Sequence, residues 1–250
     1  MKDKNVRIAK VISNYGFSSR KDAEELIKNG KVKINGKVSR NFVYKTKNLK
    51  EIKVNDKPLV KSEPKVWILH KPTGYICSNA RQNNRKIIFD LLPKEIPRVV
   101  SIGRLDINSE GLLLMTNNPE LSNYFENPKN NIPRKYLVKV FGEITSDLFG
   151  RTRRPIKING VKYRPMNLKR ISEKKNINTI EVILHEGKNR EIRKIFKFFG
   201  LTVKKLVRKE YGPFKLGNIK LGEMVEIKQN VLQEKLNRLD LRIEDFSWKI

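Results

Sequence analysis

The sequence predicts an α+β protein of two units: a small N-terminal α/β unit, then a larger one built on a mixed, mostly antiparallel sheet. Three observations carry that expectation. The chain has 250 residues, room for one large domain or two smaller ones, and 38% of them are apolar, enough to furnish cores. Residues 1–60 hold two short helical patterns and a tight-turn signal. Beyond residue 65, many strand-like runs are separated by few helical ones. The polar segment 58–64, bounded by Pro58 and Pro64, suits a semi-extended connection. The expected division is therefore 1–60, a linker at 61–65, a large unit at 66–228 and a C-terminal tail at 229–250. No internal repeat is visible.

In the first unit, residues 6–12 suit a short helix. Ser18-Ser19 then offers an N-cap, with Asp22 three residues after Ser19 in a near capping box. Ala23, Leu26 and Ile27 fall on one stripe of the following helix, and Gly30 stops it. Val32-Lys33-Ile34 precedes Asn35-Gly36, the strongest short hairpin signal. Ile52-Lys53-Val54 with Asn55-Asp56 reads as a further strand and turn.

In the second unit, Val66-Trp67-Ile68-Leu69 reads as a strand running into the turn His70-Lys71-Pro72-Thr73-Gly74. Residues 134–140 alternate as a strand, and residues 179–184 form another. Residues 190–199 read as a helix, because Ile192, Ile195, Phe196 and Phe199 share one face and Gly200 ends it. The segment 229–250 is mixed in charge, with Phe246 and Trp248 near its end, and suggests no function.

Charge bounds the partners. Fifty-five Lys and Arg oppose 26 Asp and Glu, a net charge of +29. That excess implies a polyanion, and nucleic acid fits best. An anionic membrane is the rival, but no stretch approaches the ~18 consecutive apolar residues of a span, and no amphipathic helix has a broad apolar face. Residues 1–5 lack the apolar core of a signal peptide, so a cytoplasmic location is expected. Cys77 is the single cysteine, and His70 and His185 are the only histidines. A disulfide framework, a zinc site and a Ser-His-Asp triad are therefore not expected. Catalysis would rest on Asp, Glu, Tyr, Lys or Arg. Within residues 1–60, sixteen basic residues oppose six acids, and Arg7, Lys10, Arg20, Lys21, Lys28, Lys31 and Lys33 flank the helices and the turn.

The most informative stretch runs Gly103-Arg104-Leu105-Asp106-Ile107-Asn108-Ser109-Glu110-Gly111, followed by the apolar run Leu112 to Met115. A charged loop is set against a run of buried-strand length. Spacing alone leaves two readings open: a turn cap ahead of core, or a carboxylate held still for chemistry.

The longer pattern resembles the signature loop of bacterial RNA pseudouridine synthases of the RsuA/RluB type. Four further stretches follow that family in order: His70-Lys71-Pro72-Thr73-Gly74 ahead of the loop, then Arg134-Lys135-Tyr136-Leu137-Val138, Glu186-Gly187-Lys188-Asn189-Arg190-Glu191-Ile192-Arg193-Lys194, and Tyr211-Gly212-Pro213-Phe214. The first unit is similar to the S4-like RNA-binding domain, through residues 7–10 and 16–36. One departure is Asn118-Pro119, where the family often has Asp-Gly, and it is expected to alter a turn rather than the chemistry.

The resemblance implies an isomerase that converts one uridine of ribosomal RNA to pseudouridine, with no metal or organic cofactor. Asp106 would be the nucleophile or stabilise a charged sugar intermediate. Tyr136, otherwise an ordinary strand tyrosine, would stack on the base. Arg193, otherwise a solvated helix arginine, would pair with Asp106. Arg7, Lys10, Arg20, Lys21, Lys31, Lys71, Arg104, Lys188 and Arg190 would contact RNA, positioning it without reading sequence. The target, a uridine of a single-stranded loop in structured RNA, would be flipped into the pocket. Residues 189–193 look more like members acting on large-subunit RNA. A small-subunit target and a non-catalytic ribosome-assembly factor are the rival readings, and the latter would not need Asp106, Tyr136 and Arg193 together. A monomer is expected.

Overall fold

A computed structural model describes residues 5–45, 51–60, 62–79, 81 and 84–246, so Trp248 lies outside the described residues. The first unit comprises β1 (Asn5–Arg7), α1 (Ile8–Asn14), α2 (Arg20–Lys28), β2 (Val32–Ile34), β3 (Lys37–Val38), β4 (Val43–Lys45), β5 (Ile52–Val54) and β6 (Lys57–Pro58). The helix expected from residue 6 starts two residues later. Asn5–Arg7 pairs with β4 instead, and the Ile8 amide donates to Phe42 O at 2.9 Å. Tertiary pairing has overridden local helix preference there. The N-cap is as expected: Ser19 Oγ accepts from the Asp22 amide at 3.1 Å. Asn35 and Gly36 both take positive φ, 50° and 82°, as a two-residue hairpin turn between β2 and β3 requires. Ile8, Val11 and Ile12 pack with Ala23, Ile27, Val32 and Val54 in a small core.

The larger unit comprises β7 (Val66–Lys71), β8 (Val100–Ile102), β9 (Glu110–Thr116), α3 (Pro119–Glu126), β10 (Arg134–Phe141), α4 (Ser146–Arg151), β11 (Ile156–Ile158), β12 (Val161–Tyr163), β13 (Asn167–Lys174), β14 (Ile177–Leu184), α5 (Glu191–Phe198), β15 (Thr202–Tyr211), β16 (Phe214–Lys215), β17 (Met224–Glu226) and α6 (Gln229–Asn237). Its sheet has the order β13-β14-β10-β15-β9-β7-β17, with β8 beside β9 and β16 beside β15. The β9–β15 pair is parallel, and the other pairs of this sheet are antiparallel.

At β9 the sheet is buried on both faces, which explains the unbroken apolar run of that strand. Leu113 and Met115 face a cluster with Trp67, Val138, Ile195 and Phe196. Leu112 and Leu114 face another with Phe125, Phe214, Leu232 and Leu236. The last two residues belong to α6, so residues 229–237 are part of this core. Asn118 and Pro119 open α3: the Asn118 carbonyl oxygen of the side chain accepts from the Glu120 and Leu121 amides, both at 2.9 Å, while its amide group donates to Phe246 O at 3.0 Å. This departure from the family pattern is thus a helix cap.

At the parallel join, Gly111 takes φ +116°, and an added Cβ would lie 2.3 Å from Arg208 O and 2.5 Å from Arg208 N. Gly111→Ala should therefore cost at least ~3 kcal/mol of stability. Gly150→Ala, inside α4 with nothing within 4 Å of the new Cβ, should be neutral or stabilising by up to ~1 kcal/mol. Urea unfolding midpoints for the two variants check the contrast.

Candidate active site

The Asp106 loop joins β8 to β9 and is pinned from below. Leu105 is buried in the sheet's core, and the Cys77 thiol lies 3.4 Å from both its amide and its carbonyl. The Ser109 amide closes a turn onto Asp106 O at 2.9 Å, and the Gly74 amide reaches Ile107 O at 2.8 Å. Beneath the turn lies Lys71, the last residue of β7. Its ammonium donates to Pro72 O at 2.9 Å, Asp106 O at 3.2 Å and Ser109 O at 3.0 Å.

Lys71 is therefore not an RNA contact, contrary to expectation. Its side chain is 0% exposed. The turn read at residues 70–74 begins two residues later, after Lys71, which remains in the sheet and points into the core. Burial pushes its amine down to about 8, with the nearby Arg208 charge acting in the same direction and Cys77 and Asp106 opposing.

Above the loop opens a cavity of about 660 Å³, lined by Asp106, Arg104, Tyr136, Arg190, Arg208 and Tyr211 among others. Its size suits a nucleotide-scale ligand. Tyr136 enters from β10 as a buried residue that belongs to the core cluster and also lines the cavity. Arg190 enters from the turn before α5 with φ +52°, a left-handed conformation that is uncommon for a side chain of this size. This backbone brings Arg190 Nη1 to 3.9 Å from Asp106 Oδ2.

The expected partner of Asp106 was Arg193, and the expected role of Arg190 was a phosphate contact. In the structure the ion pair belongs to Arg190. Arg193, one turn into α5, donates to Asn108 O at 2.8 Å and to Val203 O at 3.2 Å. It ties the Asp106 loop to β15 and contributes its charge to Asp106 from a greater distance. Burial, then Arg190, push its guanidinium down, against Asp106.

The turn carrying Arg190 is itself held by two acids. Glu186 accepts from the Arg164 amide at 2.6 Å and pairs with the Lys188 ammonium at 2.9 Å. Glu191 accepts from the Lys188 amide at 3.1 Å. Burial raises the Glu186 carboxyl, but the Arg164 amide and Lys188 outweigh it and hold it below its ordinary value. Burial and the adjoining Glu186 push Glu191 up to about 8. Lys188, expected on phosphate, is exposed, and its ammonium is held by Glu186 and by Lys162 O. Arg104 is exposed at the cavity wall, and Arg7, Lys10, Arg20, Lys21 and Lys31 are exposed on the first unit.

A model of the RNA pseudouridylate synthase family matches residues 65–198, more than half of the chain, and an S4 domain model matches residues 6–41. The chain belongs to the RNA pseudouridylate synthase family. It is 42% identical over 231 residues to an RNA pseudouridine synthase of Rickettsia prowazekii, across 92% of this chain and 97% of that one. It is 38% identical to the ribosomal large subunit pseudouridine synthase B of Bacillus subtilis, across 88% and 91% of the two chains. A solved pseudouridylate synthase superposes with a TM-score of 0.64 at 24% identity, covering 92% of this chain and 99% of the other, which shows the shared fold.

In this pseudouridine synthase, Asp106, Tyr136 and Arg193 lie inside the matched family segment, and Arg208 lies beyond it. Arg208 does not stand out in the sequence, because it lies among the cations of Lys204-Lys205-Leu206-Val207-Arg208-Lys209. Alternation along β15 held the only signal: Leu206 and Arg208 fall two apart and share a face.

Lys71 makes a pH prediction. Its amine titrates near 8 when folded and near its ordinary value of 10.5 when unfolded. Between those values the unfolded chain binds more protons, so raising the pH favours the fold. The stability difference between wild type and Lys71→Met should therefore widen in favour of wild type from about pH 8 to pH 10. Urea titrations of both proteins across that range measure it.

Proposed function

We propose that this pseudouridine synthase isomerises one uridine of large-subunit ribosomal RNA in the cytoplasm, acting as a monomer. Residues 1–60 would anchor the RNA, and residues 66–228 would carry the reaction. The observation that carries the reading is a pinned carboxylate, Asp106, facing Tyr136 and Arg190 across a nucleotide-sized cavity. The large-subunit target rests on the likeness to synthases so named in Bacillus subtilis and, at 36% identity, Buchnera aphidicola.

The net reaction breaks the N1–C1′ bond and forms a C5–C1′ bond to the same ribose. The C5 proton leaves to solvent, and N1 ends protonated, so the nucleotide's composition is unchanged. Asp106 serves the sugar, either by bonding to it or by stabilising its developing positive charge. The target base is flipped out of the RNA into the cavity, and its unstacking is offset by stacking on Tyr136. Arg190 keeps a cation beside Asp106, and Arg193 keeps the loop in register. Arg104 and the basic face of the first unit neutralise phosphates and supply affinity that falls with salt.

Asp106→Asn should lose activity by more than about 1,000-fold while RNA affinity is kept. Tritium release from a 23S rRNA transcript bearing 5-tritiated uridine, with filter binding alongside, checks both halves. Near-normal release by the variant would overturn the assignment.

Arg193→Ala should slow single turnovers by about 100-fold, because it frees Asn108 O and removes a charge from the Asp106 side. Lys194→Ala, adjacent but exposed, should change them less than about threefold. Saturating enzyme removes any contribution from weaker binding. Equal losses, recovered at lower salt, would reduce Arg193 to one more phosphate contact.

A further inference from the structure

Arg208 is the buried cation that the proposed reaction leaves unused. Its side chain is only 2% exposed, yet it lines the cavity. Nε donates to Leu112 O at 2.7 Å, which fixes the plane of the guanidinium. Nη2 is buried without a hydrogen-bond partner. No ion pair to Arg208 is found among the described residues. A guanidinium removed from water with a donor left open is costly, and the site as it stands does not repay that cost. A ligand acceptor would.

Its position says which part of a nucleotide it meets. Arg208 on β15 is the direct cross-strand partner of Tyr136 on β10. Directly opposed residues share a sheet face, with Cβ atoms about 5 Å apart. A planar base stacked on Tyr136 therefore brings its edge, not its face, to Arg208. On the far side, the guanidinium lies 5.0 Å from the centre of the Tyr211 ring, whose other neighbour is Arg134 at 4.7 Å. Arg134 is already committed, to Ile132 O, Phe125 O and the Tyr211 hydroxyl. Arg208 is the member with a donor to spare. The exposed cations of the site, Arg104 and Arg190, are open to solvent, whereas Arg208 lines the cavity from a buried position.

We propose that Arg208 reads the target base, donating from its guanidinium to a carbonyl oxygen of the flipped uracil. This rests on the uridine-isomerising reading above. A donor at that edge accepts uracil, whose ring carries two carbonyls, and holds the ring at one edge while its bond to the ribose is exchanged. If the donor faces O4, it also rejects cytosine, which presents an amino group there.

The test uses the full-length protein and a 23S rRNA fragment carrying the mapped target as uridine, 2-thiouridine or 4-thiouridine. A fourth fragment carries a methylphosphonate at the target's 5′ linkage. Single-turnover rates are followed by nucleoside chromatography, and melting curves accompany Arg208→Lys and Arg208→Gln. Sulfur is a weak acceptor, so wild type should slow about tenfold on one of the two thio substrates. Both variants should be slowed about tenfold or more on uridine and lose that thio penalty, a convergence that a merely structural role would not produce. Wild-type indifference to both sulfurs overturns the proposal without recourse to any variant. So does an equal thio penalty in wild type and variants, or a convergence on the methylphosphonate instead, which would mean a phosphate contact. Absence of isomerisation of the uridine fragment by wild type would overturn the functional reading itself, and this proposal with it.

Discussion

The site depends on one buried ammonium. Lys71 hangs from the end of β7 and gathers the carbonyls of Pro72, Asp106 and Ser109 around its nitrogen. Those three carbonyls come from two segments of chain, residues 72 and 106–109. Without a shared donor they would turn towards water, and the loop would turn with them. The cation keeps their oxygens inward, and so leaves the Asp106 side chain facing the cavity. Burying a charge for that purpose costs free energy, visible in the lowered affinity of Lys71 for its proton. The loop is thus held by the sheet rather than by its own residues.

The sheet repeats the same economy of space at the β9–β15 join. Gly111 lets the backbone of Arg208 approach where any side chain would collide. That parallel contact sets the two halves of the sheet against each other, one bearing the Asp106 loop and the other bearing Tyr136 and α5. A displacement here would separate Asp106 from its neighbours with no change in any of their identities. The strained backbone at Arg190 serves the same alignment from the opposite wall, anchored by the Glu186 and Glu191 pair.

Much of this was legible in the sequence, for reasons that differ by element. The Ser19 cap, the Asn35-Gly36 turn and the doubly buried β9 follow from local rules, and each formed where expected. The family motifs held Asp106, Tyr136 and Arg190, which meet at the cavity. What was not legible was which cation does what. Lys71 was expected on RNA from the family resemblance, and its burial is a tertiary property that the motif does not state. Arg190 rather than Arg193 took the ion pair with Asp106 because a left-handed residue ahead of a helix redirects its side chain, and no periodicity rule encodes that. Arg208 was hidden by abundance: in a chain with 55 basic residues, one more carries no signal. Residues 229–237 gave no function because they have a packing role, supplying Leu232 and Leu236 to the core.

The partners of the buried cations bear on how the cavity handles charge. Lys71 binds three carbonyls, Arg134 two carbonyls and a hydroxyl, Arg208 one carbonyl, and the half-buried Arg193 two. None of these hydrogen bonds goes to a carboxylate. Had each cation been paired with an acid, the local charges would cancel, and the cavity would offer little to an anionic chain. Carbonyl dipoles satisfy the hydrogen-bonding need but leave the formal charge in place. In a poorly solvated interior such charges are weakly screened, so their influence reaches the cavity. Asp106 then stands as a carboxylate within a cationic frame, and its ion pair with Arg190 is the outermost member of that frame. The large surface excess of Lys and Arg and the small buried set therefore do different work. The first draws a polyanion to the protein across many weak contacts, and the second fixes one carboxylate and the ring beside it in place.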